Sequence, residues 1–168
     1  MKTNIAGLMS LIKNLEEKLE ELSNEIEVHS MNKTVIELDG RENIVEDYKE
    51  DFINEITEYE DTIKRITYLK SVLYNKNNEF KLSDGRTIQE AIVDNANHRK
   101  LKDVYDALLT KRNTKNRVTE VNNSYFISSI VNFDVNKIKE KRSKLEEEIH
   151  NTDFEISKLN SIEFEIKN

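Results

Sequence analysis

The chain has 168 residues, of which 35% are charged and 36% hydrophobic, with a formal net charge of -7 and no cysteine or proline. That length suits a single domain with a core of its own, and the missing cysteines exclude disulfides, thiolate metal sites and cysteine nucleophiles. A cysteine-free chain fits a reducing cytoplasm, the expected location, and no stretch approaches the roughly 18 consecutive apolar residues of a spanning helix, so no constitutive membrane insertion is expected.

The apolar run Ile5, Leu8, Ile12, Leu15, Leu19, Leu22 and Ile26, with His29 next in step, is spaced by three and four, which predicts a first helix over residues 4–30. It runs straight on through Lys13 and Glu16 and so reads as a mature helix, not a cleavable leader. Thr3 or Asn4 can cap it. Residues 34–38 favour a short strand, and Asp39-Gly40-Arg41 is a turn. A second helix is expected over 42–74, with the stripe Val45, Tyr48, Phe52, Ile56, Tyr59, Ile63, Ile66, Leu69 and Leu73.

Residues 80–82 alternate like a second short strand before Asp84-Gly85-Arg86. Thr87 and Glu90 then form a capping box that opens a third helix over 88–113. The two Asp-Gly-Arg segments hold two of only three glycines, and are read as structural joints at the ends of the second helix, not as sites. Residues 118–131 are β-branched and aromatic and predict a hairpin turning at Asn122-Asn123. Asp134 or Asn136 can cap a fourth helix over 135–160, and residues 162–166 alternate like a final strand.

Residues 1–80 carry 18 acids and 10 bases, net -8; residues 81–168 carry 15 and 16, net +1. Acids gather late in the first helix and early in the second, bases late in the third and early in the fourth. An up-down-up-down arrangement sets those stretches side by side. The predicted fold class is therefore mainly α: an up-down-up-down four-helix bundle, or antiparallel coiled coil, with short β-strands at each pole.

Concentrated chemistry is missing from this pattern. Glu147-x-x-His150 has the spacing of a helical metal motif, but His29 and His98 follow Ile26 and Asn95 where carboxylates would be needed, so no metal and no cofactor is expected. Glu16, Glu17, Glu20 and Glu21 flank a leucine seam and read as a solvated face, and no Gly-rich phosphate loop is present. Seven bases against two acids over residues 99–117 suggest a phosphate strip, but the net charge argues against nucleic acid. Arg142 on the fourth seam needs a partner, expected to be an acid of the first helix or a neighbouring subunit. Tyr125, Phe126 and Ile127 lie in the most apolar non-helical stretch, a candidate interface.

The leucine-rich first helix, the long second helix, Leu82-Ser83-Asp84-Gly85-Arg86-Thr87-Ile88-Gln89-Glu90-Ala91-Ile92 opening the third, and Val131-Asn132-Phe133-Asp134-Val135 before the fourth resemble the septicolysin-like family of bacterial proteins. That resemblance implies a small, mostly helical protein and, from the family's name, a cytolysin; it brings no catalytic residues. The residues themselves favour a non-enzymatic interaction or scaffold protein that self-associates as a homo-oligomer. A membrane-active protein and a metal-dependent bundle enzyme are the second and third readings.

Overall fold

The structure, a computed structural model, describes residues 1–167. It is mainly helical, with four helices and three short antiparallel strand pairs. In chain order these are β1 (Lys2–Thr3), α1 (Ile5–His29), β2 (Lys33–Ile36), β3 (Glu42–Glu46), α2 (Lys49–Glu79), α3 (Ile88–Leu109), β4 (Thr114–Glu120), β5 (Asn123–Ser129), α4 (Val135–Asn160) and β6 (Phe164–Glu165). Contacts gather them into two compact units: Met1–Glu79 with residues 160–167, and Phe80–Leu159. Among the described residues, no helix is long and apolar enough to cross a membrane.

In the first unit α1 and α2 pack against each other. Asn4 caps α1, its Oδ1 accepting from the Gly7 amide at 2.8 Å. The apolar stripe of α1 then buries Ile5, Leu8, Ile12 and Leu22. Leu8 and Ile12 meet Ile66 and Leu69 of α2, and Ile166 joins the same cluster. Removing a leucine such as Leu69 from water contributes about 1.5–3 kcal/mol, so a few such residues supply much of this unit's stability. Ion pairs between the helices flank the seam, Glu16 with Lys70 at 2.6 Å and Lys18 with Glu58. The final strand pairs with β1, Lys2 opposite Glu165 and Thr3 opposite Phe164.

The second unit holds α3 and α4, and its helix seam is more polar. Burial on α4 follows three-four spacing through Leu145, Ile149 and Thr152. On α3 the inward residues are Ile88, Ala91 and Asn95. Asn95 is almost fully buried, while Ile92, Leu101 and Val104, which the sequence spaces as an apolar stripe with Ile88, are each more than 40% exposed. The spacing of apolar residues makes Asn95 an interruption. Here it completes the buried face, because its amide donates to the Ile149 carbonyl at 3.2 Å and to Asp153 Oδ1 at 2.9 Å.

Several boundaries differ from expectation. The second helix starts at Lys49, because Glu42–Glu46 is a strand. β-Branched Ile44 and Val45 come after a turn that sends the chain back along β2, and the resulting ladder outweighs the helical spacing of Val45 and Tyr48. At its other end α2 continues to Glu79; nothing from Asn75 onward breaks a helix, and Lys76 pairs with Glu79 at 2.6 Å. Thr62, not Ile63, is the buried residue between Tyr59 and Ile66. The third helix stops at Leu109, where the Arg112 guanidinium takes up the Leu109 carbonyl at 2.8 Å. Residues 80–82 form no strand beyond a single bridge, Lys81 to Thr87.

Candidate functional site

The two Asp-Gly-Arg segments are the same turn built twice. In the first, the Gly40 amide donates to the Glu37 carbonyl at 2.9 Å and the Glu37 amide to the Arg41 carbonyl at 2.8 Å. In the second, Gly85 donates to Leu82 at 3.0 Å and Leu82 to Arg86 at 2.8 Å. Each glycine has a positive φ, 84° and 92°, the left-handed position of a three-residue hairpin loop with a bulge. Each aspartate accepts from the arginine amide, 3.1 Å for Asp39 and 3.0 Å for Asp84, and from the arginine Nε, 2.7 and 2.8 Å.

The two turns lead into different elements. Asp39-Gly40-Arg41 sits inside the β2–β3 hairpin, so it does not abut the second helix as its place in the sequence suggests. Asp84-Gly85-Arg86 leads directly into α3. There Thr87 Oγ1 accepts from the Glu90 amide at 3.1 Å, and Glu90 Oε2 accepts from the Thr87 amide at 2.8 Å. Those amide and hydroxyl bonds hold the Glu90 carboxyl below its usual range, and the Arg86 guanidinium does the same for Asp84.

Arg86 also reaches Asp94 at 2.9 Å, and its two carboxylate partners raise its own pKa. Ser83 donates to Glu155 of α4 through both its amide, at 2.8 Å, and its hydroxyl, at 2.7 Å. This end of the second unit is thus a polar knot in which Arg86 holds Asp84 and Asp94, while the amides and hydroxyls of Thr87 and Ser83 hold Glu90 and Glu155. Its charges already have partners within the fold.

Arg142 is held by Asp106 of α3 at 2.9 Å and by Glu146 one turn along its own helix. Its partner is therefore on α3, not on the first helix: in this unit α3 is the helix that faces α4 with an acid at that level. The basic run over 99–117 is broken up as well. Arg99 pairs with Asp153 at 2.6 Å and Lys102 with Asp106 at 3.2 Å, which removes them from any continuous cationic strip.

His29, at the end of α1, meets Glu55 at 2.7 Å and stacks on Tyr48 with ring centroids 4.6 Å apart. Tyr48 in turn donates to Glu46 at 2.7 Å, and Glu46 pairs with Lys33 at 2.5 Å. The histidine thus secures the base of the β2–β3 hairpin. His98 and His150 lie on α3 and α4, with Glu147 also on α4. Among the described residues, no group of three or more His, Cys, Asp or Glu side chains is placed to hold a metal.

The apolar stretch singled out from the sequence forms the β4–β5 hairpin. Its ladder runs from Thr114 opposite Ser129 to Glu120 opposite Asn123, with Val121 and Asn122 at the tip, one residue earlier than expected. It begins at Thr114, not 118, since a two-stranded ladder exposed on both faces tolerates the polar segment Thr114-Lys115-Asn116-Arg117. Every residue of β5 is exposed; Tyr125, Phe126 and Ile127 stand at 39%, 58% and 52%.

Alternation puts Val118, Tyr125 and Ile127 on one face of this hairpin and Lys115, Arg117 and Phe126 on the other. Lys115 lies 4.5 Å from the Phe126 ring centroid, and Arg117 donates to Ser124 at 2.8 Å. Sequence reasoning alone does not place these two cations on the surface of the hairpin. Their signal is the period-two alternation, legible once the strand is started at Thr114.

A model of a family of unknown function, DUF6847, matches residues 45–163. The chain is also similar to a solved structure, described as a crystal structure of a functionally unknown conserved protein from Corynebacterium diphtheriae. The two are 18% identical, with a TM-score of 0.62 over 98% of this chain and 100% of that one. At that identity the likeness is one of fold. No curated protein matches. With most of its length inside the family match, from β3 through α4, the chain belongs to the DUF6847 family of unknown function.

Proposed function

We propose that this chain is a non-enzymatic interaction or scaffold protein that acts in the cytoplasm through protein–protein contacts and associates with itself. The observation that carries the reading is the β4–β5 hairpin. It is a two-stranded ladder with both faces exposed, apolar side chains on each, and outer edges that no third strand covers among the described residues. An isolated ladder of that kind is marginal in water and gains stability by pairing or packing. The ionised groups of the two units support the reading in a second way: most of those named above are tied into local pairs, and none of these pairs is poised as acid and base around an enclosed space.

Light scattering over a range of protein concentrations tests it. The expected mass exceeds the 19.8 kDa of one chain, and replacing Tyr125, Phe126 and Ile127 together by serine lowers it while the helical circular dichroism is kept. A single-chain mass at every concentration overturns self-association.

The septicolysin-like resemblance supplies the second reading, a membrane-active protein. The same exposed apolar strands favour it, because a hairpin with two open edges is a segment that can assemble into a larger sheet. The metal-dependent enzyme is the third reading, and metal analysis of the purified protein decides it.

A further inference from the structure

The chain carries two hairpins of one design and opposite charge. The segment joining α1 to α2, residues 30–48, has five acids and two bases, net -3. The segment joining α3 to α4, residues 110–134, has four bases and two acids, net +2. Both ladders are exposed along nearly their whole length, and both end in a fully exposed aliphatic residue at the tip, Leu38 and Val121.

Their faces match in chemistry as well as in net charge. In the β2–β3 ladder Thr34 pairs with Ile44 and Ile36 with Glu42, so Ile36, Ile44 and Glu42 share one face. Ile36 and Ile44 are 66% and 59% exposed, and among the described residues Glu42 has no cation within 4 Å. In the β4–β5 ladder Phe126, Lys115 and Arg117 share one face, and neither cation meets a carboxylate among the described residues. One surface is aliphatic with an unpartnered acid; the other is aromatic with two bases that lack a carboxylate.

We propose that the basic β4–β5 face of one chain docks on the acidic β2–β3 face of a second copy, Phe126 against Ile36 and Ile44, with Lys115 and Arg117 against Glu42. The proposal rests on the self-association reading above and names the surfaces that perform it. Like hairpins are excluded as partners by charge: basic on basic sets +2 against +2, and acidic on acidic sets -3 against -3. Juxtaposed like charges disfavour a contact strongly, and opposite ones both steer and register it. Phosphate chains are the other natural partner of a basic face, but a chain of net -7 repels them overall.

The test uses two charge-reversed full-length variants. One carries Lys115→Glu and Arg117→Glu, which turns its second hairpin from net +2 to net -2. The other carries Glu37→Lys and Glu42→Lys, which turns its first hairpin from net -3 to net +1. All four side chains are exposed, and circular dichroism checks that the helices persist. Each variant alone is expected to associate at least about tenfold more weakly than the unaltered chain. An equimolar mixture of the two regains assembly, because each supplies the charge that the other lacks.

Raising salt from about 50 to about 500 mM weakens assembly of the unaltered chain, which tests the same idea without any substitution. A chain that assembles indifferently to reversal and to salt overturns this docking and leaves self-association standing. A chain that is monomeric throughout overturns both. Mixing that fails to restore assembly, when both variants keep their helices, overturns the pairing of the two hairpins.

Discussion

Glycine at the two turn positions is required by the backbone and not by space. A Cβ at Gly40 or Gly85 would meet nothing within 4 Å, yet both residues have φ values that L side chains rarely adopt. Gly85→Ala should therefore cost about 1–2 kcal/mol, read as a lower midpoint in urea denaturation. The carboxylates around the second turn make a separate prediction. Glu90, Asp84 and Glu155 are each held below their usual values, by the Thr87 amide, the Arg86 guanidinium and the Ser83 amide respectively.

A carboxyl with a depressed folded-state pKa contributes stability above its unfolded value and loses it as pH falls through the folded one. The reference values are 4.5 for glutamate and 3.8 for aspartate. Denaturation midpoints should thus stay level near neutrality and fall progressively below about pH 4.5. Glu90→Gln should flatten part of that fall, since its bonds to Thr87 no longer depend on a titrating group. A midpoint independent of pH down to about 3 would contradict a helix start held by ionised carboxylates.

At the scale of elements, the α1–α2 seam decides which residues matter. Leu69 is fully buried in the cluster with Leu8 and Ile12, whereas Ile63 is 43% exposed although the heptad count places it on the seam. Leu69→Ala should destabilise by about 2–5 kcal/mol, while Ile63→Ala should stay within roughly 1 kcal/mol. Equal losses would mean that the seam runs through Ile63. Sequence periodicity finds this stripe but not its local phase, because Tyr59 to Ile66 can be spanned by a step of three then four or four then three. Packing against α1 selects the first, with Thr62 inward. The same limit applies on α3, where a polar Asn95 is buried because α4 offers a carbonyl and a carboxylate to its amide.

For the whole molecule, the two readings of the β4–β5 hairpin separate on one measurement. A protein that uses the hairpin to bind another chain leaves anionic and neutral vesicles intact from mildly acidic to mildly alkaline pH, at concentrations where it self-associates. Dye release that requires Phe126 and Ile127 would instead favour the membrane-active reading suggested by the septicolysin-like resemblance. The exposure of both hairpins makes this a fair contest, because the same apolar side chains serve either purpose.

Spacing and local side-chain chemistry were enough to mark the four helices, the capping box of Thr87 and Glu90 and both glycine turns, and offered Asn4 beside Thr3 and Asp134 beside Asn136 as the other caps. All of these depend on neighbours within a few residues, where spacing and side-chain chemistry are sufficient. Long-range pairing makes Glu42–Glu46 a strand, joins the final strand to β1 and gives Arg142 its partner in Asp106. Each of those outcomes rests on a partner tens of residues away or on a ladder formed across a turn, which local spacing leaves open. The tertiary structure also puts Lys115, Arg117 and Phe126 on one face, and so turns a scattered basic run into a surface with a definite chemistry.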